Sequence, residues 1–269
     1  MIFPEKIIKK CLKEASTILM SKFGGMIEEQ LKENQSSIVT EMDVAAERKI
    51  EHIISTKYPN HSIVGEETGA VMTGSEFTWI IDPIDGTSNY AAGIPWFGTL
   101  LAVLQHDRPY AAGAYLPYYD LMYYAETGKG AVCNDKPIRT TRENSLKKVL
   151  FSYATDFSDD PEKTKYETDM LCEVIQNVRN IRATNCLVDF CYVADGKLGG
   201  NINHSTKIWD IVAPYLIIRE AGGVMSELDG RDIEFDLTID NYLRNYAVIA
   251  CGRQFHESLV NMVSKLQTP

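Results

Sequence analysis

The spacing of apolar residues changes twice along this 269-residue chain, and that change limits the folds it can adopt. Up to residue 57, apolar residues recur at steps of three and four. This predicts an N-terminal helix that ends near Gly24-Gly25 and a second helix over 42–57. Short β-type runs separated by turn residues follow between 62 and 125, which indicates an α+β unit. From about 148 strands and helices alternate, as in an α/β unit.

The second change of pattern predicts a boundary in the polar stretch TTRENSLK. We therefore expect an N-terminal α+β part over 1–145 that carries most of the site, and a C-terminal α/β part over 146–269. In the C-terminal part the spacing predicts a strand at VLFSY and another at YAVIAC, a short strand near 181–184, and helices over about 161–179, 187–195, 208–221 and 254–266.

Composition excludes several classes of protein. The net charge of −10 and the pI near 5.1 disfavour a nucleic-acid-binding surface. Six scattered cysteines without a C-x-x-C pair indicate reduced thiols and no zinc site. No uncharged run reaches the ~20 residues that span a bilayer, and the first ten residues lack the apolar segment of an export signal. We expect a soluble, cytoplasmic protein without membrane or nucleic-acid partners.

The most informative short stretch is 79-WIIDPIDGTSNY-90, in which two carboxylates and a hydroxyl follow an apolar run. Pro83 predicts that the strand ends at Asp82 and that a turn directs Asp82 and Asp85 toward one point. Two carboxylates at such a short distance repel each other unless a cation or proton lies between them. Hard oxygen ligands of this kind favour Mg²⁺. The structural alternative is an ordinary Asp-Pro turn at the end of a strand.

Acidic residues also stand at two other ends of predicted elements. Glu66 and Glu67 follow the apolar run SIV, so they occupy the same position relative to a strand as Asp82. Asp210 opens the apolar helix IVAPYLIIREAGG. Solvated acids and a first-turn helix residue are the alternatives for these positions. Their placement nevertheless suits a shared site with Asp82 and Asp85.

Two further positions allow a functional and a structural interpretation. Thr40 and Asp43 have the spacing of a helix capping box, while Asp43 could instead orient a hydroxyl elsewhere in the fold. Lys207, close before Trp209-Asp210, is either an anchor for an anionic group or a solvated surface lysine.

Taken in order, the GEE, DPIDGT and WD-(x)2-A-(x)6-EAGG segments resemble the inositol monophosphatase family. The resemblance covers nearly the whole chain, because Val39–Asp43 also fits the family's V-T-x-x-D pattern. It implies a layered αβαβα sandwich and a Mg²⁺-dependent phosphomonoesterase that acts on a small phosphorylated substrate. It also implies a homodimer and inhibition by lithium.

The same resemblance implies a set of metal ligands. Glu66, Asp82 and the carbonyl of Ile84 would hold a first Mg²⁺. Asp82 would bridge to a second ion that is also held by Asp85 and Asp210, which would both face the substrate. A third, weaker ion would lie near Glu66, so that two or three ions are expected in all.

Residues that act on the phosphate and on the attacking water are implied as well. The Asp43 carboxylate would orient the Thr87 hydroxyl, which would help to position and deprotonate a water on the metal. Gly86 and Thr87 would offer main-chain N–H groups to the phosphate. Glu67 and Thr40 would hold the site residues in place without binding the metal or the substrate themselves.

The leaving group is the part that the resemblance leaves open. In the animal family members a glutamate seven residues before the WD aspartate contacts inositol hydroxyls, and Asn203 stands there in this chain. The resemblance implies inositol monophosphate or a related polyol or sugar phosphate as substrate, and Asn203 argues against a strict preference for inositol. The 2'-phosphate of NADP(H), fructose 1,6-bisphosphate and 3'-phosphoadenosine 5'-phosphate remain alternatives. Residues 195–207, which include Asn203 and Lys207, should border the leaving-group pocket. A non-enzymatic alternative is a protein- or RNA-binding family member with a vestigial site.

Overall fold

The computed structural model describes residues 4–25, 27–32, 38–238 and 241–266. The helices within these residues are α1 Pro4–Lys22, α2 Glu41–Lys57, α3 Thr87–Ala91, α4 Pro161–Asn177, α5 Leu187–Ala194, α6 Ile208–Glu220 and α7 His256–Ser264. The strands are β1 Glu29–Leu31, β2 Ile38–Thr40, β3 Ser62–Gly65, β4 Gly69–Val71, β5 Phe77–Asp85, β6 Gly98–Gln105, β7 Arg108–Leu116, β8 Leu121–Glu126, β9 Ala131–Cys133, β10 Lys136–Pro137, β11 Leu150–Ala154, β12 Asn180–Arg182, β13 Gly200–Thr206, β14 Gly223–Glu227 and β15 Tyr246–Gly252.

Two large sheets divide the chain between them. The first has eight strands in the order β10-β9-β8-β7-β6-β5-β3-β4, and all its pairs are antiparallel except β3 with β5. The second has five strands in the order β12-β11-β13-β15-β14, with β11 parallel to both of its neighbours. A small ribbon of β1 and β2 stands apart from both sheets. The domain boundary near residue 145 stays a prediction.

Helices form three layers around these two sheets. One face of the eight-stranded sheet packs on α1 and α2, and Leu12, Ile50 and Trp79 belong to the core between them. Its other face packs on α5 and α6, which also contact the five-stranded sheet, so that Ile80 and Val248 share one core. The outer face of the five-stranded sheet is covered by α4 and α7. This order confirms the predicted αβαβα sandwich.

The alternation of side chains in β5 explains why a single strand can serve two cores. Trp79 and Ile81 point toward α1 and α2, whereas Ile80 points toward α5 and α6. Successive side chains of a strand lie on opposite faces, and a strand covered on both faces is apolar throughout. The run WII is apolar for this reason.

One strand boundary was predicted wrongly. We expected β5 to end at Asp82, but it continues through Pro83 to Asp85. The pairing with β6 shifts between Asp82 and Asp85, which marks a bulge. Proline is tolerated at a bulge because no ladder hydrogen bond is required of its nitrogen there. The Pro83 carbonyl accepts a hydrogen bond from the Thr99 hydroxyl at 2.9 Å.

Two expectations from composition can be compared with the structure. All six cysteines lie within the described residues and are free thiols, as predicted. Over the described ranges, none of the helices combines the length and apolar character needed to cross a bilayer.

Candidate active site

Parallel pairing of β3 with β5 brings the first two acidic segments together. Gly65 is the register partner of Ile81, so Glu66 and Asp82 follow at the same end of neighbouring strands. The Glu66 N–H donates to the Ile81 carbonyl at 3.2 Å, which holds the main chain of Glu66 beside β5. Glu66 and Asp82 therefore lie at the same end of neighbouring strands, which is the placement that a shared site requires.

The bulge after Asp82 turns the chain toward α3 and presents Asp85 to the same space. Gly86 then adopts a φ of 94°, in the left-handed region. A Cβ added at Gly86 would lie 2.6 Å from the Trp96 carbonyl oxygen and 3.1 Å from the Cys186 Cβ. Both the conformation and the close approach therefore require glycine at this position.

A cavity of about 210 Å³ collects most of the predicted site residues. Asp210 enters it from the first turn of α6, where its carboxylate also accepts the Lys207 N–H at 2.7 Å. The cavity is lined by Glu66, Asp82, Ile84, Asp85, Gly86, Thr87, Asn203 and Asp210, together with residues that the sequence did not point to. We call Glu66, Asp82, Asp85 and Asp210 the carboxylate wall.

Burial and mutual repulsion control the charge of the carboxylate wall. Asp82 is 1% exposed, and burial followed by the charges of Glu66, Asp85 and Asp210 raises its pKa well above the usual range. Burial raises the pKa of Glu66 to about 8, against the lowering effect of Lys32. Burial likewise raises the pKa of Asp210 to about 6. Four carboxylates in this state form a site that favours protons or cations.

Thr87 and Asp43 form the hydrogen bond that the family pattern implies. The Thr87 hydroxyl lies 3.1 Å from Asp43 Oδ1 and 2.9 Å from the Ile84 carbonyl oxygen. The other oxygen of Asp43 accepts the Thr40 hydroxyl at 2.6 Å and the Thr40 N–H at 2.7 Å. The geometry accommodates both interpretations of Asp43, because one of its oxygens caps α2 and the other accepts the Thr87 hydroxyl. Its role in the reaction stays a prediction.

The residues present fit a divalent cation by their chemistry. Asp82 Oδ1 is buried and has no hydrogen-bond partner among the described residues. A buried acceptor of that kind is costly unless a cation or a donor reaches it. Over 4–25, 27–32, 38–238 and 241–266, no group of three or more His, Cys, Asp or Glu side chains could hold a metal ion as the side chains now stand. The ligand roles therefore remain proposals.

Lys32 supplies positive charge to the carboxylate wall, and the sequence did not point to it. Its ammonium lies 2.8 Å from Glu66 Oε1 and also contacts Glu67. The neighbouring acids raise the pKa of Lys32 although its burial opposes this. A cation bound by Glu66 would compete with this ammonium.

Besides Asp156 and Asp210, the C-terminal half contributes uncharged residues to the lining of this cavity. Asn203 and Ser205 project from β13, while Asn185 and Cys186 come from the segment before α5. We call these four residues the polar wall. Asn203 lines the same cavity as the carboxylate wall, and its contact with a substrate stays a prediction. Lys207 does not line this cavity; its ammonium donates to the Leu243 carbonyl at 2.8 Å.

A larger cavity of about 600 Å³ adjoins the first and shares Glu66, Asp156, Ser205 and Asp210 with it. Lys207 lines this outer cavity.

Two further buried carboxylates lie next to residues of the site, and the sequence did not point to them. Asp189, 2% exposed, accepts the N–H groups of Thr184 and Asn185 at 3.2 Å each and so shapes the segment that carries the polar wall. Glu47 is fully buried and accepts the N–H groups of Glu67 and Thr68. The available signal was an acid on the apolar face of a predicted helix, since such residues are rarely buried without a partner.

Comparison with known proteins assigns the chain to a protein family. A model of the inositol monophosphatase family matches residues 5–268. A fructose-1,6-bisphosphatase/inositol-1-monophosphatase of Aquifex aeolicus is 34% identical over 209 residues, which cover 77% of this chain and 79% of that protein. The Nus factor SuhB of Haemophilus influenzae is 30% identical over 237 residues, 87% of this chain and 85% of the relative.

Solved structures agree with the fold. The inositol monophosphatase of Thermotoga maritima superimposes with a TM-score of 0.85 at 26% identity, covering 96% of this chain and 95% of that one. A crystal structure of an IMPase/NADP phosphatase with Mg²⁺ and phosphate gives a TM-score of 0.82 at 23% identity, covering 96% and 94% of the two chains.

Proposed function

Since the chain belongs to the inositol monophosphatase family, we propose that it is a Mg²⁺-dependent phosphomonoesterase. Its substrate would be inositol monophosphate or a related small polyol or sugar phosphate. The observation that carries the proposal is one cavity that joins the carboxylate wall to the hydrogen-bonded pair of Thr87 and Asp43. Phosphatase chemistry is what this family is known for.

The carboxylate wall and the Ile84 carbonyl would hold two or three Mg²⁺ ions. When bound, Mg²⁺ neutralises the charge of the phosphate and lowers the pKa of a coordinated water. The Mg²⁺ and phosphate present with the IMPase/NADP phosphatase of the same fold support this choice of cation. Acids dominate a site for an anion because their role is to hold the cations.

Thr87 would position the attacking water. Its single hydroxyl proton is donated to Asp43 or to the Ile84 carbonyl, which leaves the oxygen lone pairs to accept a proton from a water in the cavity. Asp43 has no exposure to solvent, and burial raises its pKa to about 6 against the lowering effect of its bonds to Thr40 and Thr87. Its carboxylate can therefore take up a proton that passes through the Thr87 hydroxyl.

The phosphate would rest on the Gly86–Thr87 turn, and the leaving group on the polar wall. Asn203 offers an amide where a glutamate would accept hydroxyl protons, so the wall tolerates leaving groups besides inositol. The name of the Aquifex aeolicus relative, which combines two phosphatase activities, supports that breadth.

A phosphate-release screen tests this proposal. Purified protein is assayed with inositol 1-phosphate, fructose 1,6-bisphosphate, NADP⁺ and 3'-phosphoadenosine 5'-phosphate, each in Mg²⁺ and in EDTA. We expect release that requires Mg²⁺, fastest with inositol 1-phosphate. Absence of metal-dependent release from all four would refute the proposal, and a different preferred ester would change only the substrate.

A second candidate function is binding to protein or RNA, and the relative named Nus factor SuhB favours it. The net charge of −10 disfavours RNA as the partner. Full metal-dependent activity would show that the site is not vestigial. Homodimer formation and lithium inhibition remain predictions from the family resemblance.

A further inference from the structure

Glu47 stands one helical turn after Asp43 on α2, so both carboxylates point to the same side of the helix. Asp43 reaches the Thr87 hydroxyl, as described above. Glu47 reaches a different part of the site, the chain that carries Glu66. Both side chains have no exposure to solvent.

Each oxygen of Glu47 accepts one main-chain N–H group. Oε2 lies 3.1 Å from the Glu67 nitrogen and Oε1 lies 2.7 Å from the Thr68 nitrogen. On the other side of Glu66, Gly65 packs so closely that an added Cβ would lie 2.3 Å from Glu47 Oε1. The carboxylate therefore contacts the main chain both before and after Glu66.

The main chain of Glu66 is consequently held from two directions. Its own N–H is bonded to the Ile81 carbonyl of β5. The two residues after it are bonded to Glu47, and these three bonds leave the Glu66 carboxylate directed at the cavity. Hydrogen bonds to an ionised acceptor are about twice as strong as neutral ones.

Burying a charged group to fix a turn costs more free energy than burying a neutral acceptor would. A fully buried carboxylate loses its hydration, and this one lies beside Glu67 and so adds negative charge to an acidic site. A turn that needed only rigidity would be held as well by a neutral acceptor. The charge fits a site whose own charge is reversed by bound cations.

We propose that Glu47 is a positioning residue for Mg²⁺: by binding the main-chain N–H groups of Glu67 and Thr68, it holds the Glu66 carboxylate in its ligand position. This rests on the proposed function, because it assumes that the carboxylate wall holds Mg²⁺. Residues that support metal ligands in this way typically change metal affinity by about 10–100-fold.

The test is the Mg²⁺ dissociation constant of Glu47→Gln, measured by calorimetry without substrate. The amide keeps the size of the side chain but replaces one acceptor oxygen by a donor, which faces an N–H group. We expect the constant to rise about 10-fold, and phosphate release to recover at high Mg²⁺. A matched control is Glu51→Gln on the same helix, since Glu51 accepts the Thr68 hydroxyl at 2.7 Å and, among the described residues, no main-chain N–H group. Its Mg²⁺ affinity should stay within about twofold of the wild type, as for a surface polar substitution.

A second variant changes Gly65, the glycine that packs against the Glu47 carboxylate. Gly65→Ala should displace the Glu47 carboxylate and weaken Mg²⁺ binding to a similar extent. If Glu47→Gln does not fold, Gly65→Ala and the charge-conserving Glu47→Asp decide the question by the same measurement. Folded variants that bind Mg²⁺ as the wild type does would overturn the inference. A wild type that neither binds Mg²⁺ nor releases phosphate would instead refute the proposed function.

Discussion

The carboxylate wall and the polar wall face one cavity but are built in different ways. Three of the four residues of the carboxylate wall come from neighbouring strand ends in the eight-stranded sheet, and two of them stand three residues apart in the sequence. The polar wall combines a strand of the five-stranded sheet with a separate segment held by Asp189. Two short segments therefore supply three of the four carboxylates, and Asp210 joins them from α6, whereas the residues of the polar wall meet only through contacts between distant segments.

Asp85→Asn is the most severe test of the carboxylate wall. Loss of one charged ligand should lower the rate of phosphate release at least about 100-fold, more than the loss of a residue that only supports a ligand. The measurement is the turnover number at saturating substrate and Mg²⁺. Asp107→Asn, in an exposed hairpin turn, is the control and should act as the wild type does. Near-normal turnover of Asp85→Asn would mean that the wall does not hold the catalytic metal.

Thr87→Ala tests whether the pair with Asp43 acts on the water. We expect the turnover number to fall about 100-fold with little change in the Michaelis constant, because acid–base assistance operates in the transition state. Thr87→Ser keeps the hydroxyl and should recover most of the rate. A change confined to the Michaelis constant would show that Thr87 only binds substrate.

Asp189→Asn addresses mainly the polar wall. Weaker bonds to the Thr184 and Asn185 N–H groups should loosen the wall and raise the Michaelis constant roughly fivefold, the equivalent of about one hydrogen bond. The Mg²⁺ concentration for half-maximal rate should not change. Asp195→Asn, at the residue that follows α5, is a control, since its carboxylate accepts the Tyr123 hydroxyl at 2.8 Å and Asp195 is not among the residues that line the cavity. A shift in Mg²⁺ dependence would show that the two walls are not independent.

The smallest expected effect is on how the stability of the folded protein depends on pH. Glu66 and Asp210 have pKa values raised to about 8 and about 6 in the fold, from ordinary values of 4.5 and 3.8. Carboxyl groups with raised pKa values stabilise the folded state when protonated, so this contribution is lost as pH rises from about 4 to 8. Mg²⁺ binds the ionised form and should restore stability where it was lost.

Thermal unfolding measures this effect in EDTA and in Mg²⁺. We expect Mg²⁺ to raise the melting temperature by more at pH 8 than at pH 5. The Asp85→Asn variant should show a smaller increase at pH 8. An equal increase at both values of pH would contradict the electrostatic account of the carboxylate wall.

The features that sequence could predict are those that short segments contain. The two helices before residue 58 are recognisable by their spacing, and WIIDPIDGT places two acids and the hydroxyl within six residues of each other. The αβαβα order came from the resemblance to a family, since periodicity alone indicated only an α+β and an α/β unit. Strand β5 was cut short at Asp82 because a bulge that tolerates Pro83 depends on pairing with β6.

The features that sequence could not predict depend on contacts between distant segments. Strand β13 carries Asn203 and Ser205 toward the cavity and Ile202 toward a core, so its composition is too polar for an ordinary buried strand. Lys32 and Glu47 are ordinary charged residues until folding places both beside Glu66 and Glu67. Their roles follow from partners many residues away.

The most direct test of the account is phosphate release before and after Mg²⁺ is returned to the chelated protein, using the preferred ester from the screen. We predict no phosphate release in EDTA. The rate of release should rise with Mg²⁺ concentration to saturation in the wild type but not in the Asp85→Asn variant. Release that is equally fast in EDTA, or no release at any Mg²⁺ concentration, would contradict it.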